Sequence, residues 1–108
     1  GNDDIIVPMM SIGSSGVISV LANIAPKQTH NMVNFCLEGN YIEGNKIQQA
    51  LLEVANDLFL EVNPIPVKEA MNILGFNVGG YRMPLDYMSE KNKEILKNVI
   101  SKNKELIF

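Results

Sequence analysis

The sequence holds one cysteine, one histidine and no tryptophan among 108 residues. A single cysteine excludes an internal disulfide framework. With only one histidine beside it, a self-contained zinc site of the usual Cys/His kind is excluded too. Basic charge is not in excess: nine Lys and Arg stand against twelve Asp and Glu, a net charge of −3. Phosphate binding across a whole domain needs a clear basic excess, so nucleic acid is not an expected partner. No apolar run approaches about 18 residues, so no helix is expected to span a bilayer, and no membrane partner is expected. The opening Gly1-Asn2-Asp3-Asp4 has no initiator Met and no signal-peptide n-region, and it reads as the interior of a longer chain. What is present is globular in character: 46% hydrophobic and 19% charged residues. The length suits one small domain that buries roughly 65% of its unfolded surface.

Along the chain, Asp3 and Asp4 read as N-caps of a short helix running to about Ile12. Pro8 is tolerated there only in the first turn. Gly13 is placed to end this helix as its C′ residue. Gly13-Ser14-Ser15-Gly16 follows as a tight connection. Val17-Ile18-Ser19-Val20-Leu21 is short, β-branched and almost wholly apolar, which predicts a strand buried on both faces. Pro26 suits the first position of a helix to about Glu38, with Met32, Val33, Cys36 and Leu37 inward. A longer helix is predicted from Tyr41 to Phe59, carrying Ile47, Leu51, Val54, Ala55, Leu58 and Phe59 on one face. Asn63-Pro64-Ile65-Pro66 is a turn. Pro66 then starts a helix with Val67, Ala70, Met71 and Leu74 inward, ended by Gly75. Phe76 to Asp86 is a loop. A last helix is capped by Ser89 and turns Ile95, Leu96, Val99 and Ile100 to the core. The expected class is therefore α/β, mostly helical in this chain.

One strand makes no sheet. Its N–H and C=O groups need neighbours on both edges. After Leu21 nothing else reads as a central strand, so those neighbours are expected outside residues 1–108.

No catalytic constellation can be assembled from the residues. His30 lies early in a helix with no Ser or Asp at a useful spacing, which favours a surface or structural role. Cys36 falls on an apolar stripe and reads as a core residue. Asp3 and Asp4 are adjacent and cannot face each other as an acid/base pair, so capping is their default. The Gly13–Gly16 connection matches neither G-x-x-x-x-G-K-[ST] nor G-x-G-x-x-G, and it precedes a strand rather than following one. Lys68 is the most tempting amine nucleophile. Nothing in the sequence desolvates it or places a cation beside it, so a solvated helix lysine is favoured. Lys91, Lys93, Lys97, Lys102 and Lys104 alternate with Glu90, Glu94 and Glu105 as a solvated face.

Three stretches carry a family resemblance. They are Gly16-Val17-Ile18-Ser19-Val20 running on through Leu21-Ala22-Asn23-Ile24-Ala25-Pro26, then Asn63-Pro64-Ile65-Pro66-Val67-Lys68, then Tyr81-Arg82-Met83-Pro84-Leu85. With Gly1-Asn2-Asp3-Asp4, they resemble the C-terminal portion of the dihydrodipicolinate synthase family, within the pyruvate-dependent class I aldolases. The resemblance spans all 108 residues in order. It implies the last part of a TIM (β/α)8 barrel, with Asp4–Ile12 as helix 7, Gly16–Val20 as strand 8 and the helix near Pro26 as helix 8. On that basis residues 1–38 end the barrel and residues 39–108 are a C-terminal helical extension.

The resemblance also implies a lyase that condenses pyruvate with L-aspartate 4-semialdehyde in lysine and diaminopimelate biosynthesis. The Schiff-base lysine and the proton-relaying tyrosine would lie outside this chain, leaving no catalytic residue within it. Two pyruvate-binding positions carry over: Ile18, through its main chain, and Gly1, as a lining glycine. Asn2 stands where many relatives carry Asp. The implied partners are the N-terminal remainder of the enzyme, pyruvate and the aldehyde. The implied assembly is a homotetramer, with Ile12 either at a subunit contact or partly buried inside one subunit. The implied location is the cytoplasm. No metal or organic cofactor is implied, because the imine itself serves as the electron sink. A related aldolase with another acceptor, of the N-acetylneuraminate lyase or keto-deoxy-sugar type, is an alternative. So is a free-standing helical interaction domain.

Overall fold

The computed structural model describes residues 1–108. The regular elements are all helices, in the order α1 (Ile6–Ser11), α2 (Pro26–Leu37), α3 (Tyr41–Ala50), α4 (Leu52–Asp57), α5 (Ile65–Ile73) and α6 (Glu90–Lys102), with 3-10 turns at Asp3–Ile5 and Leu21–Asn23. Helix α2 packs on α3 and α1, while α4 and α5 both pack on α6. One hydrophobic core joins all of them, centred on Ile6, Leu21, Met32, Leu51, Leu58 and Leu96.

Helix ends follow the chemistry of their residues. Pro26 opens α2, and Pro66 lies in the first turn of α5, where a missing N–H costs nothing. The Ser89 hydroxyl caps α6 by accepting the Asn92 N–H. At the end of α5, Gly75 takes φ +94. Its N–H reaches the Asn72 carbonyl at 3.0 Å and the Phe76 N–H reaches that of Met71 at 2.9 Å. That is a Schellman closure, which needs the left-handed residue glycine tolerates best. Gly13 ends α1 in the same way, bonding Met10, with Ser14 bonding Met9. Pro8 is the third residue of α1 and falls in its first turn, so it breaks nothing.

The predicted strand does not form. Val17–Val20 lies outside any helix or strand, and Leu21 begins a 3-10 turn. Residues Ser15–Ser19 make no backbone–backbone hydrogen bond. The sequence pattern for a buried strand is present, but a strand is defined by its ladder, and no second segment of this chain lies alongside to provide one. Residues 1–108 by themselves are helical with no strand, as a chain expected to be mostly helical would be, and the expected strand is the one element missing.

Two helices expected to be continuous are divided. The Tyr41–Phe59 helix turns at the buried Leu51, whose ψ of 3° departs from the helical value. The turn lets α3 face α2 and α1 while α4 faces α6 and the Asp3–Ile5 turn. The Asp4–Ile12 helix is divided at Ile5, with φ −131°. Its cause is a side chain from far along the chain. Gln48 of α3 accepts the Val7 N–H at 3.0 Å and donates to the Asp3 carbonyl at 2.8 Å. In an unbroken helix Val7 would bond Asp3 directly, so the Gln48 carboxamide is spliced into that pair.

Three stripe residues are corrected from inward to exposed: Leu37, Phe59 and Ile95. The first two stand at or just beyond helix ends, where the buried stripe runs out. Ile95 lies on the edge of the α6 stripe, and Leu96, Val99 and Ile100 fill the core instead.

Candidate functional site

A cleft of about 460 Å³ lies between the chain start, α1 and the Gly16–Ile18 segment. Gly1, Asn2, Ile5, Met9, Gly16 and Ile18 are among its lining residues. The two predicted site residues are thus brought to one cleft from seventeen positions apart. Gly1 packs directly on the Val17–Ile18 backbone. A Cβ built on Gly1 would lie 2.6 Å from Val17 Cγ2 and 3.0 Å from the Ile18 carbonyl oxygen. Only a glycine fits there without displacing one wall. The Ile18 side chain is 90% exposed, so its contribution to the cleft is chiefly its peptide groups.

No Asp, Glu, Lys, Arg, His or Cys side chain lines this cleft. Its polar equipment is the Asn2 amide, the Ser14 hydroxyl and the unpaired peptide groups of the irregular segment. Such a set can hold a small carboxylate or carbonyl by main-chain hydrogen bonds against apolar walls. It contains no nucleophile and no general base.

Behind the cleft sits Asp3, 2% exposed. Sequence reasoning made it a cap for its own helix, and this is corrected: it caps the 3-10 turn eighteen residues on. Its Oδ2 accepts the Val20 and Leu21 N–H groups, each at 3.0 Å. The Ser19 hydroxyl donates to Oδ1. That hydroxyl in turn accepts the Ala22 N–H at 2.9 Å. Gln48 already accepts the Val7 N–H, and the Asp3 carboxylate instead meets the amides at the start of the second turn. Asp4 is exposed and caps nothing.

The remaining candidates stay outside the cleft. His30 is exposed on α2 and pairs with Asn34 at 2.8 Å. Cys36 is buried, and burial pushes its thiol pKa up, so it stays protonated in the core as expected. Lys68 is not free in solvent. It donates to the Gly80 carbonyl and lies 5.4 Å from the centre of the Tyr81 ring. Lys93 corrects the solvated-face reading in part, because it is mostly buried between Glu69 at 3.7 Å and Glu90 at 3.8 Å. Ile12 is 79% exposed, so nothing within this chain buries it. No three His, Cys, Asp or Glu side chains converge on a metal-sized site. No helix is long and apolar enough to cross a membrane.

Sequence reasoning missed Gln48. The signal was there: Gly44, Gln48, Leu51 and Ala55 share one face of the helix, and a polar side chain in the middle of that face must find buried partners.

Comparison with solved structures defines the class first. The chain superposes on dihydrodipicolinate synthase from Thermotoga maritima with a TM-score of 0.92 and 39% identity, covering 96% of this chain and 35% of that one. It superposes on the enzyme from Aquifex aeolicus with a TM-score of 0.94 and 36% identity, covering 99% and 36%. In sequence it is 57% identical over 100 residues to 4-hydroxy-tetrahydrodipicolinate synthase of Caldicellulosiruptor saccharolyticus, covering 93% of this chain and 34% of that protein. The profile of the dihydrodipicolinate synthetase family matches residues 1–103. The chain belongs to the dihydrodipicolinate synthetase family. It spans about a third of the length of the curated relatives it matches.

Proposed function

We propose that this chain forms one wall of the keto-acid site in a lyase that joins pyruvate to L-aspartate 4-semialdehyde. The observation that supports this is the meeting of Gly1 and the Ile18 peptide groups at one cleft without charged side chains, in a chain whose residues 1–103 match that family. In this reading residues 1–38 complete a TIM barrel, with Gly16–Val20 as strand 8. The unpaired peptide groups of Ser15–Ser19 support it, because they are what a strand presents before its neighbours are added. Residues 39–108 are the helical extension. The assembled enzyme is a homotetramer of the cytoplasm serving lysine and diaminopimelate biosynthesis. A monomeric dihydrodipicolinate synthase variant is among the solved structures that resemble this chain, so light scattering on the enzyme is the direct check of assembly.

The chemistry divides between this chain and the rest of the enzyme. A lysine outside residues 1–108 attacks the pyruvate ketone, water leaves, and an imine forms. The proton-relaying tyrosine outside this chain takes a methyl proton to give an enamine. Its carbon bonds to the aldehyde carbon as the C=O π bond breaks, the aldehyde oxygen takes up a proton, and the imine to the lysine re-forms for release of the lysine. The role here is binding: main-chain groups at Ile18 orient the keto acid, and the close approach of Gly1 keeps room for it.

The test is borohydride reduction in the presence of pyruvate, followed by mass mapping. A reduced pyruvyl adduct on a lysine outside residues 1–108 is expected. An adduct on Lys68 or any lysine here overturns the placement, and no adduct at all overturns the Schiff-base reading. Turnover with L-aspartate 4-semialdehyde, set against sugar-derived aldehydes, separates this lyase from its aldolase relatives.

A further inference from the structure

We infer that Asp3 is a positioning residue that sets the separation of the two walls of the keto-acid cleft. The inference rests on the proposed pyruvate site at Gly1 and Ile18, and it concerns a residue that does not itself line that cleft.

One wall ends two residues before Asp3, at Gly1. The other ends immediately before the residues that Asp3 holds. Its carboxylate takes the Ser19 hydroxyl on one oxygen and the Val20 and Leu21 amides on the other. The Ile18 segment has no backbone hydrogen bond of its own from Ser15 to Ser19. Apart from the packing of Gly1 on Val17, the Asp3 carboxylate is therefore what ties that segment to the chain start. Its own position is fixed from behind, because Gln48 holds the Asp3 carbonyl. No Lys, Arg or His pairs with Asp3. A buried carboxylate without a counter-charge is a costly way to gain stability, since apolar groups of the same volume often serve as well. Three directed acceptor bonds instead fix the position and orientation of a peptide segment, which is what a main-chain binding site requires.

The geometry predicts how substitutions differ. In Asp3→Asn the amide oxygen can keep both backbone bonds, and the amide nitrogen can donate to Ser19 Oγ. In Asp3→Ala all three are lost. In Ser19→Ala one carboxylate oxygen loses its donor and the two amides keep theirs.

The experiment is steady-state kinetics on the full-length enzyme with both substrates varied. Asp3→Ala should raise the pyruvate KM by about tenfold, with the aldehyde KM within about twofold and kcat within about threefold. Asp3→Asn should stay within about twofold of the parent, and Ser19→Ala should give a pyruvate-selective rise of about threefold. If Asp3→Ala does not fold, the contrast between Asp3→Asn and Ser19→Ala decides. A folded Asp3→Ala or Ser19→Ala with an unchanged pyruvate KM, or with both KM values raised alike, overturns the inference. Pyruvate trapping by borohydride separates the two levels. No adduct on the parent enzyme refutes the site reading itself. An adduct on the parent, with half-saturation unchanged in Asp3→Ala, refutes only the role of Asp3.

Discussion

Replacing Gln48 by leucine is the sharpest test of how the helical extension supports the chain start. The side chain is 4% exposed and its carboxamide stands between the Val7 N–H and the Asp3 carbonyl. Leucine conserves the volume closely and removes both hydrogen bonds. Each buried backbone group left without a partner costs about 1–3 kcal/mol, so Gln48→Leu, which orphans two, should lose about 2–6 kcal/mol. Urea unfolding followed by circular dichroism gives the difference directly. Gln48→Glu sharpens the test. An ionised glutamate can accept from Val7 but cannot donate to the Asp3 carbonyl, and it sits near the Asp3 carboxylate. Burial raises the pKa of such a glutamate, and its protonated form regains the donor. Gln48→Glu should therefore recover stability relative to the parent as pH falls, the reverse of ordinary acid destabilisation. A loss below about 0.5 kcal/mol in Gln48→Leu would refute the reasoning. It would mean that Val7 simply bonds Asp3 directly once the splice is removed, closing the helix at no cost.

Two further outcomes are expected. Gly44 sits where α3 meets α2: an added Cβ would lie 3.0 Å from Cys36 Sγ and 3.3 Å from the Met32 carbonyl oxygen. Alanine gains up to about 1 kcal/mol in helix propensity, but overpacking costs about 1–3 kcal/mol, so Gly44→Ala should be net destabilising by about 1 kcal/mol. Adding Cys36→Ala should recover part of that loss in a double-mutant cycle, and a Gly44→Ala protein more stable than the parent would show that the two helices separate freely. The Tyr81 hydroxyl is within 3.3 Å of the Ile65 carbonyl and 3.2 Å of Glu69 Oε2. Burial first, and then the Glu69 charge, push its pKa up to about 12 from 10.0. The unfolded chain ionises before the folded one, so stability that is complete below pH 10 should fall as pH rises towards about 12. Thermal midpoints across that range check this, and Tyr81→Phe should flatten the part of the decline due to this group.

Much of the fold was legible because helix ends are local chemistry. Pro26, Ser89, Gly13 and Gly75 each act through groups within four residues of themselves, and each does what its type predicts. What was not legible depends on distant partners. Asp3 reads as a cap for the helix beside it, and only the folded chain shows that it serves residues 19–21. The division of the Asp4–Ile12 helix comes from Gln48, and nothing in residues 4–12 announces it. Val17–Leu21 has the composition of a strand, but composition cannot supply a ladder. The pairing of Gly1 with Ile18 came from family resemblance alone. Neither residue type carries chemistry that would single it out, and the close approach that joins them is a property of the backbone.

The reach of the Gln48 and Asp3 contacts also bears on the order in which the chain organises itself. Asp3 closes a loop of about seventeen residues and Gln48 one of more than forty. The longer closure costs roughly 0.8 kcal/mol more in chain entropy. The carboxylate contact can therefore form early, as a nearly local event. The carboxamide follows only when α3 docks, and it locks a conformation that the first contact has already selected. Commitment of the cleft geometry then precedes the completion of the helical extension, so the slow step in folding of this chain should track the docking of α3 rather than the turn after Ile18.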